Sequence, residues 1–253
     1  MTNQEALTDY VLRLGDSALI LGQRLCEWCG RAPAVEEEMA LMNVGLDLIG
    51  QARNWMEYAV ELQGQGQDAD QLAFTRDAHQ YRNLLLVEQP NGNYADTCAR
   101  QYFYDAWHYF TLKALCDSSD ARVAEIAAKG LKEVTYHLRR SSEWIKRLGD
   151  GTEQSHAKMQ AAIDEIWTYT GEAFIADAVD EQMQAAGIGV DLALIHEQWR
   201  AHVEATLQEA TLTCPDMQAY MQQGSKQGIH TERLGFILAE MQFLQRAYPH
   251  STW

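Results

Sequence analysis

The stretch LTDYVLRLGDSALILGQRLCEW (residues 7–28) determines the fold class. Its apolar residues recur at alternating spacings of four and three: Leu7, Val11, Leu14, Ala18, Leu21, Leu25 and Trp28. Those spacings place the apolar side chains on one face of a helix, as in the a and d positions of a heptad. The stretch therefore predicts a long amphipathic helix that buries one face against other helices.

The remaining chain continues this helical pattern and lacks strand signals. No proline lies between Pro90 and Pro215, and proline breaks helix interiors. Helices are predicted over about 7–30, 35–63, 94–115, 121–148, 155–186, 191–212 and 232–247. We therefore predict an all-α fold, a ferritin-like long-helix bundle with additional C-terminal helices, forming a single domain over 1–253.

The composition restricts the function classes. Twenty Lys and Arg against 36 Asp and Glu give a net charge of −16, which disfavours nucleic acid and anionic membranes as partners. No apolar run reaches the roughly 18–20 residues of a transmembrane helix, and the first residues do not resemble a secretory signal. Five cysteines are sparse and odd in number, which argues against a disulfide framework. We expect a cytoplasmic protein with reduced thiols.

A bundle of long helices calls for a search for metal ligands in its core. Ferritin-like di-iron proteins take one Glu from each of two helices and a Glu-x-x-His pair from each of the other two. The second predicted helix offers Asp47, with Gly50 where the histidine belongs. The best match is Asp105-Ala-Trp-His108 in the third, where acid and imidazole share one helix face.

The fourth predicted helix departs from the ligand pattern. It contains Glu133, but Tyr136 stands three residues later and His137 follows one residue too late. Arg140 on the same stripe would repel a cation. These residues fit a polar flank of the helix equally well.

The first predicted helix has no carboxylate on its buried seam. Asp16 lies about 200° around the helix from Leu14 and is predicted to be solvated. The ligand set is thus broken in several places, and we predict no cofactor and no catalytic residue in this chain. The positions predicted to be vestigial and not to ligate a metal are Asp47, Asp105, His108, Glu133 and His137.

The helix predicted over 35–63 has an unusually broad apolar face. Its apolar residues fall on two adjacent stripes, so neighbours on more than one side must cover it. Methionine and aromatic side chains are common anchors of protein interfaces. We therefore place part of a partner interface at Met39, Met42, Trp55 and Met56.

Several segments of the chain resemble one known family. They are QRLCEWCG (23–30), VGLDLIGQARNW (44–55), LAFTRDAHQYRNLLLVEQPNGNYADT (72–97), ARQYFYDAWH (99–108), KEVTYHLRRSSEW (132–144) and GIHTERLGFILAEMQFLQR (228–246). They look like the C subunits of bacterial phenylacetyl-CoA epoxidase, a multicomponent oxygenase of aerobic phenylacetate degradation. The resemblance runs from about residue 7 to the last residue.

The resemblance implies a structural subunit. In that family a related A subunit carries the di-iron centre and the acyl-CoA pocket, and a small B subunit and a reductase E complete the complex. The expected function is to pair with and stabilise the catalytic A subunit. The alternative is a metal-dependent oxygenase or oxidase that uses the degenerate ligand positions, and a third reading is an acidic helical protein of another role. Iron analysis of the purified protein discriminates the first two.

Overall fold

A computed structural model describes residues 1–249 and 251. Helices account for 73% of the chain, and no strand occurs in the part described, which confirms the all-α prediction. The single-domain prediction over 1–253 stays a prediction, and its residues His250, Thr252 and Trp253 lie outside the described part. The described α-helices are α1 (Asn3–Cys26), α2 (Val35–Gln63), α3 (Ala69–Phe74), α4 (Leu85–Glu88), α5 (Tyr94–Leu115), α6 (Ala121–Gly149), α7 (Glu153–Ile166), α8 (Ala178–Ala185), α9 (Leu192–Glu209), α10 (Glu232–Met241) and α11 (Phe243–Ala247).

The chain divides into two compact units. The first unit contains Met1–Glu88 and the segment from Gly224 onward, and the second contains Gln89–Gln223. The second unit is therefore inserted into the sequence of the first. No helix of the described residues is long and apolar enough to cross a membrane, and all five cysteines are free.

Helices α1 and α2 form the centre of the first unit, and they approach each other closely. Thr2 caps α1 by accepting a hydrogen bond from the Glu5 amide. A Cβ atom added at Gly22 would meet Ile49 Cγ1 at 3.0 Å and the Gly45 carbonyl oxygen at 3.3 Å. A side chain at position 22 would therefore force the Ile49 side chain or the Gly45 backbone to shift.

The prediction that Asp16 is solvated is wrong. Asp16 is fully buried and forms an ion pair with Arg76, and its Oδ2 also accepts a hydrogen bond from the Arg82 amide at 2.9 Å. The helical spacing from Leu14 placed Asp16 correctly away from that stripe. The face of α1 that carries Asp16 is covered by the segment after α3. Arg76 in that segment is 60 residues from Asp16 in the sequence. We call this contact the Asp16–Arg76 pair.

Two predicted helices are interrupted. The helix predicted over 155–186 ends at Ile166, and a helix resumes at α8. The turns between them form hydrogen bonds with the loop before α10. Trp167 Nε1 donates to the Asp216 carbonyl, and the Gln222 amide donates to the Thr168 carbonyl. The helix predicted over 232–247 breaks at Gln242. This buried side chain donates to the carbonyls of Ala73 and Arg76.

Candidate functional site

The candidate site lies in the second unit, between α5 and α6. A capping box starts α5: the Asn93 side chain accepts from the Ala95 amide at 2.8 Å, and Asp96 accepts from the Asn93 amide at 2.7 Å. The buried Arg100 donates to the carbonyl of Gln89 and to Asn91 Oδ1, which holds the preceding QPN turn. These contacts fix the start of α5. The polar residues Gln101, Asp105 and His108, further along the helix, are buried.

Asp105 is completely buried on α5. Its Oδ1 accepts a hydrogen bond from Gln101 Nε2 at 2.7 Å. Burial raises the pKa of Asp105 to about 6, against the opposing effects of His137, the Ser141 hydroxyl, Gln101 and Arg140. The low-dielectric surroundings therefore favour the protonated acid more strongly than its neighbours favour the carboxylate.

His108 is 1% exposed, one turn after Asp105. Neither ring nitrogen has a hydrogen-bond partner among the described residues. Burial, assisted by the nearby His137, lowers the pKa of His108 to about 3. The rings of Tyr104 and Trp107 lie against it, with centroid separations of 5.0 and 5.9 Å. His108 is therefore a neutral imidazole in an aromatic setting at neutral pH.

The α6 side of the site contributes His137 and Ser141, which are both buried. Glu133 lies one turn before His137 and is only half-buried, and Tyr136 is 43% exposed. The structure thus brings Asp105, His108 and His137 together, and it leaves Glu133 at the edge. We call Gln101, Asp105, His108, His137 and Ser141 the α5–α6 cluster.

Asp47 belongs to the first unit. It is half-buried on α2, on the same polar stripe as the exposed Asn43 and Glu61. The sequence predicts a polar face for this stripe, which agrees with its exposure.

The α5–α6 cluster does not fit a pair of iron ions. A ferritin-like di-iron centre needs four carboxylates and two imidazoles, whereas the cluster has one acid, and Arg140 adds positive charge near it. Within residues 1–249 and 251, no group of three or more His, Cys, Asp and Glu is suited to hold a metal ion. That these positions do not ligate a metal stays a prediction.

The predicted interface residues fall into two groups. Trp55 and Met56 are 1% and 2% exposed and pack beside Gly15 of α1, so their assignment to a surface is wrong: they are core. Met42 is half-buried and Met39 is 63% exposed. A contact of a partner with Met39 and Met42 stays a prediction.

Two exposed apolar residues near Met39 are absent from the predicted interface. Val35 is 71% exposed and Leu46 is 65% exposed. Spacings of four and seven place both on the same face of α2 as Met39. The spacing of these residues indicates that they share one helix face. It does not show which of the two apolar stripes of α2 is covered by the rest of the chain. We call Val35, Met39 and Leu46 the α2 stripe.

Comparisons with known proteins agree with the resemblance. The family model described as "Phenylacetic acid catabolic protein" matches residues 1–253. The chain is 56% identical over 247 residues to the C subunit of the 1,2-phenylacetyl-CoA epoxidase of Escherichia coli (strain K12), and the match covers 98% of this chain and 99% of that protein.

A solved structure shows the same fold. "Protein 19 with aldehyde deformylating oxidase activity from Synechococcus" matches with a TM-score of 0.59 and 16% identity, over 84% of this chain and 95% of that one. At this identity the likeness shows the fold alone, and it confirms the prediction of a ferritin-like helical fold.

Proposed function

Because the chain belongs to the phenylacetic acid catabolic protein family, we propose that it is a non-catalytic structural subunit of a phenylacetyl-CoA epoxidase. In this proposal it pairs with the di-iron catalytic subunit and stabilises it, in aerobic phenylacetate degradation. The observation that carries the proposal is the 56% identity, across nearly the whole of both chains, to a protein named as the C subunit of that epoxidase. The small B subunit and reductase E are the further expected partners.

The chemistry of the α5–α6 cluster supports a role without catalysis. Oxygen activation at two irons needs carboxylates that neutralise the metal charge, and the cluster supplies a single acid whose pKa of about 6 reflects an apolar environment. A buried polar cluster with one acid fits a chain that contributes shape and surface rather than redox chemistry.

The α2 stripe supports the pairing. Three large apolar side chains on one helix face are between 63% and 71% exposed, which is unfavourable for a chain that remains alone in water. The acids Glu36 and Asp47 are the sequence neighbours of Val35 and Leu46 on α2. A partner helix with an apolar ridge and basic flanks fits this surface.

A second candidate function is a metal-dependent oxygenase or oxidase with a degenerate ligand set. The observation in its favour is His108, whose two buried ring nitrogens have no hydrogen-bond partner among the described residues. The shortage of carboxylates in the α5–α6 cluster argues against this candidate function. Iron analysis of the purified chain separates the two candidates, because about two irons per chain would overturn the structural role.

Co-expression with the catalytic subunit tests the proposal. We expect the catalytic subunit to be poorly soluble or inactive alone, and to become soluble and active with this chain. The variant Met39→Glu/Leu46→Glu should stay folded by circular dichroism but fail to co-elute with the catalytic subunit. Leu194→Glu on α9 is the matched control, since Leu194 is also exposed, at 49%. A catalytic subunit that is soluble and active without this chain would contradict the proposal.

A further inference from the structure

A buried histidine and a buried glutamate meet in the first unit, at the places where the chain leaves this unit and returns to it. Glu88 is the last residue of the first segment, and His230 follows shortly after the return at Gly224. Their side chains are 0% and 3% exposed, and His230 Nδ1 lies 2.5 Å from Glu88 Oε1. The proposed function assigns no role to this pair.

The Glu88 carboxylate is surrounded by donors. Its Oε2 accepts from the Thr231 amide at 2.9 Å and from the Thr231 hydroxyl at 2.6 Å. Its Oε1 accepts from Asn83 Nδ2 at 2.9 Å in addition to His230. Each oxygen of the Glu88 side chain thus has two hydrogen-bonding neighbours.

The second nitrogen of His230 determines the charge of the ring. Nε2 lies 2.9 Å from the Tyr81 carbonyl oxygen, which can only accept a hydrogen bond. A neutral imidazole has one N–H, so it can donate to the carboxylate or to the carbonyl but not to both. Both contacts are satisfied only when the ring is an imidazolium.

We propose that His230 and Glu88 form a pH-dependent clamp, which fastens the C-terminal segment 224–249 to the rest of the first unit while His230 is protonated and loosens it on deprotonation. When the proton is lost, one of the two acceptors faces a nitrogen lone pair in a dry site. That contact becomes repulsive, and the segment that carries His230 loses this attachment and opens more readily, although Gln242 still donates to the carbonyls of Ala73 and Arg76.

The charges around His230 favour the protonated ring. Glu88 lies on α4 and Asp16 on α1, and both are acids that stabilise the imidazolium. Arg76, Arg82 and Arg24 are the opposing cations: Arg76 is paired with Asp16, Arg82 donates to the Tyr81 carbonyl, and Arg24 donates to the Glu88 carbonyl. Burial lowers the pKa of His230. The hydrogen bond and charge of Glu88, the hydrogen bond to the Tyr81 backbone and the charge of Asp16 outweigh burial, so the pKa is raised above 6.5.

The sign of the pH effect follows from this raised pKa. The clamp contributes fully below about pH 6.5, where the unfolded histidine is also protonated, and it is lost as the pH rises through the folded-state value. The clamp therefore opens on the alkaline side.

Nitrogen NMR of the histidine rings in the full chain measures the charge of His230 directly and needs no variant. We expect His230 to titrate above pH 6.5. Hydrogen exchange, corrected for the intrinsic rate, should then show the amides of 224–249 exchanging about 10- to 100-fold faster above that midpoint, the factor for loss of one hydrogen bond between charged groups. Peptides from α9 serve as the internal reference.

Two variants complete the test. Glu88→Gln keeps the shape and removes the charge, so the midpoint of His230 should fall and segment 224–249 should be open already at neutral pH. His79→Gln, at an exposed histidine of the same unit, should change neither reading. The proposal is overturned if His230 is neutral at pH 7, or if it titrates while the protection of 224–249 stays constant.

Discussion

The first unit and the α5–α6 cluster of the second unit treat buried titratable groups in opposite ways. In the first unit the Asp16–Arg76 pair and the Glu88–His230 clamp give each buried acid a base, and the pKa of His230 is raised. In the α5–α6 cluster of the second unit, burial dominates: the pKa of the acid rises to about 6 and that of His108 falls to about 3. Burial alone therefore does not fix the direction of a pKa shift: the Glu88 carboxylate raises the pKa of His230, whereas desolvation, together with the nearby His137, lowers the pKa of His108.

The largest expected effect is the loss of one partner in the first unit. Arg76→Met leaves Asp16 as a buried carboxylate without its ion pair, although the Arg82 amide still donates to it. Breaking a buried pair in this way costs about 3–5 kcal/mol of the free energy of unfolding. Urea denaturation of the variant and the parent chain measures it.

The matched control is Arg53→Met. Arg53 also pairs with an acid, Glu57, but its side chain is 72% exposed, and we expect no measurable change. If Arg76→Met is no more destabilising than this control, charge pairing is not what distinguishes the first unit.

The second expected effect is a pair of opposing pH dependences in the α5–α6 cluster. The folded state protonates His108 only at about pH 3, whereas the unfolded state does so at 6.5, so acid removes stability below pH 6.5. Asp105 has the opposite sign: its folded pKa of about 6 exceeds the ordinary 3.8, so stability is gained as the pH falls from 6 to 4. At 1.36 kcal/mol per pKa unit, each effect reaches about 3 kcal/mol at pH 4 and they largely cancel.

Single variants separate these two effects. As the pH falls from 6.5 to 4, the free energy of unfolding of Asp105→Asn should drop by about 3 kcal/mol more than that of the parent chain. That of His108→Gln should rise relative to the parent chain by a similar amount. Unfolding curves at several pH values give both differences. Parallel pH profiles for all three proteins would show that folding shifts the pKa of neither group.

The smallest expected effect concerns one hydroxyl. Ser141 lowers the pKa of Asp105, so Ser141→Ala should raise that pKa and cost about 1 kcal/mol at pH 8, with little change at pH 5 where the acid is already protonated. Ser142→Ala is the control, because the Ser142 hydroxyl donates to the Leu138 carbonyl at 2.7 Å. A loss that is the same at both pH values would mean that Ser141 serves packing and not the charge of Asp105.

Local patterns were sufficient for most helices. The predicted ranges 94–115 and 35–63 coincide with α5 and α2, because capping residues and apolar spacing both act within a few residues. The pairing of Asp105 with His108 on one face followed from the same geometry. Their proximity to His137 did not, since it depends on how α5 packs against α6.

The errors share one physical cause. Asp16 is buried by an arginine 60 residues away, and Gln242 interrupts its helix to bond backbone about 170 residues earlier. Trp55 and Met56 were assigned to a surface because the sequence does not show which stripe of α2 the rest of the chain covers. Each error required a contact distant in sequence, and helical periodicity reports only near neighbours.

The insertion of the second unit into the first also sets a timetable for synthesis. Glu88 and His230 are 142 residues apart, and the whole second unit is made between them. At about 5–20 residues per second, a ribosome needs roughly 7–30 s to make that stretch. During this interval the nascent chain carries Glu88 without its histidine partner, so the first unit, which begins before the second, is completed after it.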